Sequence, residues 1–142
     1  MSQKIILIVK DNVSQKFKTF LDDLSGNNIK YHIERSLEDA LDYRMNYKDK
    51  IDIVVLDMRF PILDGNDVNY YAGAELMPKL IRHNNEIVII LNTPADKFLY
   101  KLFPENNVIY VSKRNVFYST HIKEKMRKTD SRVLGVLDLL KK

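Results

Sequence analysis

The feature that most constrains the fold is a series of short aliphatic runs separated by amphipathic helical patterns. The runs are four to six residues long: Lys4–Val9, Tyr31–Glu34, Ile51–Leu56, Ile87–Leu91 and Val108–Ser112. Nearly continuous apolar runs of this length are typical of strands buried on both faces of a parallel sheet, although the second run is shorter and more polar. Because parallel strands need long crossover connections, this order predicts five strand–helix units with right-handed connections.

Two of the helical patterns have clear ends. Asn12 is predicted to cap the first helix and Gly26 to begin its termination, while Ser36 is predicted to cap the second helix. The apolar positions of these two helices are Val13, Phe17, Phe20, Leu21 and Leu24 in the first, and Leu37, Ala40, Leu41 and Met45 in the second. Each strand is thus followed by a helix that can bury one face against the sheet.

Three further helices complete the predicted order. One begins near Gly73, and Pro78 should bend or weaken it because proline lacks an N–H donor. A short helix is predicted at residues 95–103, where Pro104 ends it. The last is a helical C terminus from about Asn115. The predicted fold class is therefore α/β, a three-layer sandwich in which helices cover both faces of a five-stranded parallel sheet. We expect one domain at residues 1–128 and a C-terminal helical extension at 129–142 that is not a separate domain.

Composition excludes several classes of protein. The chain has no cysteine, which removes disulfides, thiolate metal sites and a cysteine nucleophile, and fits a reducing compartment. Its four glycines are not spaced to form a dinucleotide-binding turn or a phosphate-binding loop. No apolar run approaches the ~20 residues of a membrane span, and no signal peptide opens the sequence, so we expect a soluble, cytoplasmic protein without membrane contact.

The net charge of +4 is unevenly distributed along the chain. Residues 1–113 carry a net charge of −1, whereas residues 114–142 carry +5 and also contain regularly spaced leucines and valines. Two interpretations of this C-terminal segment stay open: a solvated helical end, or a helix that docks an acidic partner or forms a homodimer. Direct nucleic-acid binding rests on charge alone and is not favoured, because no room for a DNA-binding domain follows residue 128.

Polar residues follow four of the five predicted strands. Lys10 and Asp11 follow the first, Asp57 ends the third, and Thr93 and Lys113 follow the last two. The carboxyl ends of parallel strands meet at one edge of the sheet, where α/β proteins bind their ligands. The pattern therefore predicts a site that combines two carboxylates, a hydroxyl and two ammonium groups.

The segments around these residues resemble the receiver domain of bacterial two-component response regulators. They read LIVKDN at 7–12, VVLDMRFPILDG at 54–65, IILNT at 89–93 and IYVSK at 109–113. The resemblance covers the chain from Lys4 to about Met126 and implies a flavodoxin-like sheet of strand order 2-1-3-4-5. It also implies a stand-alone regulator that receives a phosphoryl group from a histidine kinase or phosphotransfer protein and signals to a protein target through a changed surface.

The resemblance assigns roles to the residues that would handle the phosphoryl group. Asp57 matches the phosphoacceptor, and Asp57, Asp11 and the backbone carbonyl of Arg59 match the ligands of Mg²⁺. Lys113 matches the family's signature lysine, which pairs with a phosphoryl oxygen. The implied chemistry is limited to Mg²⁺-dependent self-phosphorylation and dephosphorylation, so the chain is not expected to be an enzyme in the usual sense.

The resemblance also implies a conformational switch. Thr93 and Tyr110 match the family's switch pair, in which the hydroxyl of Thr93 follows the phosphoryl oxygens and frees space for the tyrosine ring. Such a local movement would bias a two-state surface and so carry the signal.

The sequence departs from the family pattern most clearly at Lys10, where an acidic residue is usual. Asp11 and Asp57 supply a formal charge of −2, and Lys10 and Lys113 cancel it. We therefore expect Mg²⁺ binding that is weakened but not abolished, because the long side chain of Lys10 can swing outward to water. The alternative is a pseudo-receiver, in which Lys10 holds Asp57 in a permanent ion pair and the chain acts as a phosphorylation-independent protein-interaction module.

A second departure is an insertion at residues 66–72, which makes the connection into the third helix about eight residues longer than usual in the family. Its polar and aromatic residues should lie beside the predicted site. A surface loop that caps the helix and a lid or partner contact are equally compatible with this composition.

Overall fold

Continuous aliphatic strands form the centre of the fold. The computed structural model describes residues 4–83, 87–92, 108–112, 115–118 and 131–140. The strands are β1 (Ile5–Val9), β2 (Tyr31–Glu34), β3 (Ile51–Asp57), β4 (Phe60–Pro61), β5 (Val68–Asn69), β6 (Val88–Asn92), β7 (Val108–Ser112) and β8 (Asn115–Tyr118). The helices are α1 (Gln15–Gly26), α2 (Leu37–Asn46), α3 (Ala72–His83) and α4 (Ser131–Leu140).

Six of these strands form one sheet in the order β2-β1-β3-β6-β7-β8. The first five are parallel to one another, which confirms the predicted α/β fold class and the predicted order of the five parallel strands. β4 and β5 form a separate antiparallel hairpin between β3 and α3.

The sixth strand of the sheet is a difference from the prediction. Residues 115–118 form β8, antiparallel to β7, where the start of a C-terminal helix was expected. The segment reads Asn-Val-Phe-Tyr, and β-branched and aromatic side chains favour a strand over a helix. Ser112 pairs with Asn115 in the antiparallel register, and the described C-terminal helix begins at Ser131.

Side chains on β1 alternate between the two faces of the sheet. Leu7 and Val9 lie in a buried cluster with α2 and α3, whereas Ile6 and Ile8 lie in a second cluster with α1 and α4. These four side chains are at most 1% exposed. Because both faces are covered, the strand is apolar at every position, and the helix–sheet–helix sandwich follows from that pattern.

Two details of the first helices correct the sequence prediction. Ser14 rather than Asn12 caps α1, and its hydroxyl accepts a hydrogen bond from the Phe17 N–H at 3.2 Å. Ser36 caps α2 as predicted, by accepting from the Asp39 N–H. On α2, Met45 is 53% exposed.

The buried residue of that turn of α2 is Arg44, which is 1% exposed. Positions 37, 40, 41, 44 and 45 all fall near one helical face, so the period alone cannot choose between the last two. The aliphatic stem of arginine can fill the apolar position that methionine was expected to fill.

The last two described helices also bear on the predictions, whereas the predicted helix at residues 95–103 lies outside the described residues. α3 runs continuously through Pro78. On α4, Val133, Val136 and Leu137 are buried in the cluster that contains α1. These apolar side chains are therefore not available for the predicted docking or dimerisation surface, because the protein's own sheet covers them.

Candidate functional site

The pairing of β1 with β3 creates the candidate site at the carboxyl edge of the sheet. Val9 is in register with Leu56, so the next residues, Lys10 and Asp57, leave the sheet side by side. The Lys10 N–H donates to the Glu34 carbonyl at 3.0 Å, which continues the pairing of β1 with β2 by one residue. The backbone therefore places a lysine directly beside the predicted acceptor carboxylate.

Lys10 and Asp57 form an ion pair. The Lys10 Nζ donates a hydrogen bond to the Asp57 Oδ2 at 2.8 Å, and the two side chains are 18% and 25% exposed. The ammonium also lies 4.6 Å from the centre of the Phe17 ring, within the range of a cation–π contact. In this structure Lys10 therefore points inward rather than out to water, because a carboxylate and an aromatic face hold its ammonium inside the site.

The environment of Asp57 shifts its acidity. Burial raises the pKa of Asp57 above its ordinary value, and the hydrogen bond and positive charge of Lys10 offset part of that increase. Desolvation disfavours the ionised carboxyl group, whereas a nearby cation favours it. The ionised form of Asp57 therefore depends on Lys10.

The oxygen ligands that the resemblance implies for Mg²⁺ are those of Asp57, Asp11 and the Arg59 carbonyl. Mg²⁺ prefers several oxygen ligands, and here an ammonium occupies one oxygen of the Asp57 carboxylate. Within the described ranges, no group of three or more acidic or histidine side chains could hold a metal ion. Asp11 follows Lys10, and its backbone carbonyl accepts a hydrogen bond from the Arg35 Nε at 3.0 Å. One oxygen of the implied donor set is therefore paired with Lys10 in this structure.

The remaining predicted residues are only partly described. Tyr110 lies in β7, where its backbone is in register with Leu91 and Phe117. Thr93 and Lys113 lie outside the described residues. The parts assigned to Thr93, Tyr110 and Lys113 in phosphoryl transfer and switching stay predictions.

Gly73 is a structural residue of the site whose role the sequence did not reveal. Its N–H donates to the Met58 carbonyl at 2.9 Å, just after the Asp57 strand end. A Cβ at this position would collide with the Asp57 carbonyl oxygen and lie 2.9 Å from the Met58 Cα. Only glycine allows this approach, which brings α3 directly onto the end of β3. The position of Gly73 near a helix start was visible in the sequence, but its backbone neighbour was not.

The insertion beside the site is an ordered hairpin. Phe60 pairs with Asn69 and Pro61 with Val68, and Gly65 turns the chain with a φ of 86°. Fully buried Phe60 anchors the hairpin in the core. The hairpin begins at Phe60, three residues after Asp57.

Known structures share this fold. The chain superimposes on a response regulator receiver domain from Clostridium thermocellum with a TM-score of 0.62, 14% identity, and coverage of 94% of this chain and 98% of that one. The non-phosphorylated HemR receiver domain from Leptospira biflexa gives a TM-score of 0.60, 22% identity, and coverage of 95% and 94%. For the Borrelia burgdorferi CheX-CheY-BeF3-Mg complex the TM-score is 0.61, at 17% identity and coverage of 88% and 87%.

No protein-family model and no curated protein sequence matches the chain. The structural similarity extends over nearly the whole length of both chains, with the same parallel sheet and surrounding helices. The chain therefore has the CheY-like receiver fold that the sequence resemblance implied. In the part of the chain that the structure describes, no helix is both long and apolar enough to cross a membrane.

Proposed function

We propose that this chain is a receiver-fold signalling module of the pseudo-receiver type. In this proposal the Lys10 ammonium neutralises Asp57 in place of a metal ion, and the module binds a protein partner without Mg²⁺-dependent phosphorylation of Asp57. The observation that supports the proposal is the 2.8 Å ion pair between Lys10 and Asp57 at the acceptor position of the fold.

Electrostatics favour a pseudo-receiver over an ordinary metal-dependent receiver. A divalent cation about 6 Å from a fixed ammonium is repelled by roughly 5 kcal/mol at an effective dielectric constant of about 20, before solvent screening. Lys10 can relieve that repulsion only by leaving both the Asp57 carboxylate and the Phe17 ring. Each of these contacts stabilises the inward position, so metal binding must compete with both.

Binding of a partner protein is a function that needs neither Mg²⁺ nor phosphorylation of Asp57. The similar Borrelia burgdorferi structure is a complex of CheY with CheX, so that receiver domain contacts another protein. By analogy, the present chain would bind a partner protein within a two-component pathway, either a kinase or phosphotransfer protein upstream or a target downstream.

A phosphate-accepting receiver is the second candidate function. Asp57 ends the central strand β3 and keeps a quarter of its side chain exposed, so a small phosphodonor could reach it. In that case Lys10 would be a displaceable counter-ion that yields to Mg²⁺ and the phosphoryl group. The two candidates differ in what the unmodified chain does with a phosphodonor.

Incubation of the full chain with acetyl phosphate and Mg²⁺, followed by intact-mass measurement, tests the proposal. We expect no Asp57-dependent addition of a phosphoryl group to the wild-type chain. Lys10→Asp should bind Mg²⁺ at least tenfold more tightly, measured by calorimetric titration, because it removes the ammonium and adds an oxygen ligand. Lys16→Asp, on the exposed side of α1, makes the same change in net charge and should leave Mg²⁺ affinity unchanged.

Either of two outcomes would contradict the pseudo-receiver proposal. Near-complete phosphorylation of the wild-type chain that disappears in Asp57→Asn would establish the second candidate instead. Equal Mg²⁺ affinity in the wild-type chain and Lys10→Asp would show that the ion pair does not control metal binding.

A further inference from the structure

Exposed apolar side chains are concentrated on the β4–β5 hairpin. We define the hairpin surface as the apolar residues Leu63, Val68, Tyr70 and Tyr71 together with the charged residues Arg59, Asp64 and Asp67. Its four apolar side chains are between 41% and 71% exposed, and they lie within nine consecutive residues. The other large hydrophobic residues exposed in the described ranges are scattered on α2, its C-terminal turn and α4. Scattered apolar residues are normal, whereas a concentration marks an interaction surface.

The hairpin surface is held in place by the rest of the fold. The Ile62 carbonyl accepts a hydrogen bond from the Glu38 N–H at the start of α2, at 3.0 Å. The Asn69 Oδ1 accepts from the Tyr71 N–H at 2.9 Å, which fixes the chain where it enters α3. A surface that is already ordered loses little conformational entropy on binding.

The chemistry of the hairpin surface is that of a protein interface. The Arg59 guanidinium lies 5.0 Å from the centre of the Tyr70 ring and so stacks on it. Tyrosine and arginine are the residues most enriched at the energetic centres of protein interfaces, because they combine a large contact area with polar groups. The exposure of both tyrosines is otherwise costly, since their rings stay in water.

The hairpin surface carries charges of both signs. It has a cation at Arg59 and exposed anions at Asp64 and Asp67, so a two-fold axis can place opposite charges against each other. An open depression of about 520 Å³ lies on the same hairpin. The depression is lined by Ile62, Gly65, Asn66, Asp67, Val68 and Asn69.

We infer that the hairpin surface binds a second copy of this chain and forms a two-fold symmetric homodimer. The described C-terminal helix, α4, offers less apolar surface, because its Val133, Val136 and Leu137 are buried against the protein's own sheet while Leu134 is 50% exposed. The dimer goes beyond the proposed function, since it does not depend on whether Lys10 and Asp57 form an ion pair.

The exposed tyrosines supply about a third to a half of the area that a stable dimer needs. A tyrosine buries about 150 to 250 Å² when covered completely, so the four partly exposed tyrosines of two copies supply about 400 to 650 Å². A stable interface needs about 1,200 Å² or more in total. The leucine, valine and polar residues of both hairpin surfaces must supply the remainder, which points to a micromolar rather than a nanomolar dimer.

Sedimentation equilibrium of the full chain over a micromolar concentration series tests the inference. We expect a monomer–dimer equilibrium whose dissociation constant rises at least tenfold in Tyr71→Ser and in Val68→Asp. Leu134→Ser and Met45→Ser are matched controls, because they remove similarly exposed apolar side chains elsewhere, and they should leave the constant unchanged. Far-UV circular dichroism confirms that each variant is folded.

A charge-swap experiment identifies the partner as a second copy. Arg59→Asp alone, and the double variant Asp64→Arg with Asp67→Arg alone, should each dimerise less than the wild-type chain. A mixture of the two should regain the dimer, because each copy then presents the charge that the other lacks.

Three results would overturn the inference: a monomer at every concentration, a dimer that both hairpin substitutions leave intact, or a dimer that Leu134→Ser abolishes. All three are independent of phosphorylation, so failure here leaves the proposed function standing, and the reverse also holds.

Discussion

A partly buried cation and a fully buried one lie near opposite edges of the sheet, and their surroundings differ. Lys10 lies at the carboxyl edge, with its ammonium on the Asp57 carboxylate and about a fifth of its side chain exposed. Arg44 lies near the end of α2, which leads to the amino edge of β3, and is almost fully enclosed. Its Nε and Nη1 have no hydrogen-bond partner, although the charge of Asp49 acts on it.

The comparison distinguishes Lys10, a charge that can take part in binding, from Arg44, a charge that is enclosed in the fold. Burial lowers the pKa of Arg44 below its ordinary value, which means that the enclosed guanidinium is destabilised. The Lys10 ammonium is compensated by a carboxylate and still reaches solvent, so an anionic group of a ligand or partner can compete with Asp57 for it. A charge is therefore a candidate functional group when it has both a partner and access, and burial alone does not identify one.

The largest expected effect is that of Lys10→Met, which leaves Asp57 desolvated without its cation. Breaking a fully buried ion pair costs 3–5 kcal/mol, and partial exposure reduces this to about 2 kcal/mol at neutral pH. Urea unfolding followed by circular dichroism measures the loss. Lys16→Met removes an exposed lysine from α1 and should change stability by less than about 0.5 kcal/mol. If the two variants are equally stable, the ion pair contributes nothing.

The same variant should lose its defect in acid. The pKa of Asp57 is raised in the folded chain, so its contribution to stability is present below the unfolded-state pKa and is lost as the pH rises through the folded pKa. Without Lys10 that folded pKa lies higher still, and the loss at neutral pH is greater. We expect the difference between the wild-type chain and Lys10→Met to shrink as the pH falls, because protonated Asp57 needs no cation.

Unfolding measured at several pH values checks this trend. Asp57→Asn is the control background: with no titrating group at position 57, Lys10→Met should show no such narrowing. A gap between wild type and Lys10→Met that stays constant from neutral to acidic pH would assign the defect to lost packing on Phe17 instead.

The smallest expected effect is that of Arg44→Met, near the amino edge of the sheet. Arg44→Met replaces an enclosed, incompletely bonded cation with an apolar side chain of similar length, so stability should be unchanged or rise by about 1 kcal/mol. Arg82→Met makes the same replacement at an exposed position of α3 and should be neutral. A loss of more than about 2 kcal/mol in Arg44→Met would show that the arginine has compensating contacts, and the contrast with Lys10 would then fail.

Much of the fold could be predicted because it depends on local patterns. The aliphatic runs located the five parallel strands, and Ser36 located the start of α2. The segment 115–118 was assigned wrongly because four residues carry too little periodicity to distinguish a strand from the first turn of a helix. The insertion was recognised as extra chain, but its hairpin depends on the burial of Phe60, a tertiary contact.

The candidate site was predictable as a set of residues and not as an arrangement. Strand order alone puts Lys10 beside Asp57, since both follow adjacent parallel strands. A long flexible lysine can nevertheless point to water or inward, and the choice is decided by the ring of Phe17 and the desolvated carboxylate. The roles assigned to Thr93, Tyr110 and Lys113 stay predictions.

The close approach at Gly73 has a mechanical consequence for the whole of α3. The contact between α3 and the end of β3 is backbone against backbone, with no side chain at Gly73 that could change rotamer to absorb a displacement. A fraction of an ångström of movement at the Asp57 carbonyl must therefore be passed on to α3 as a rigid body.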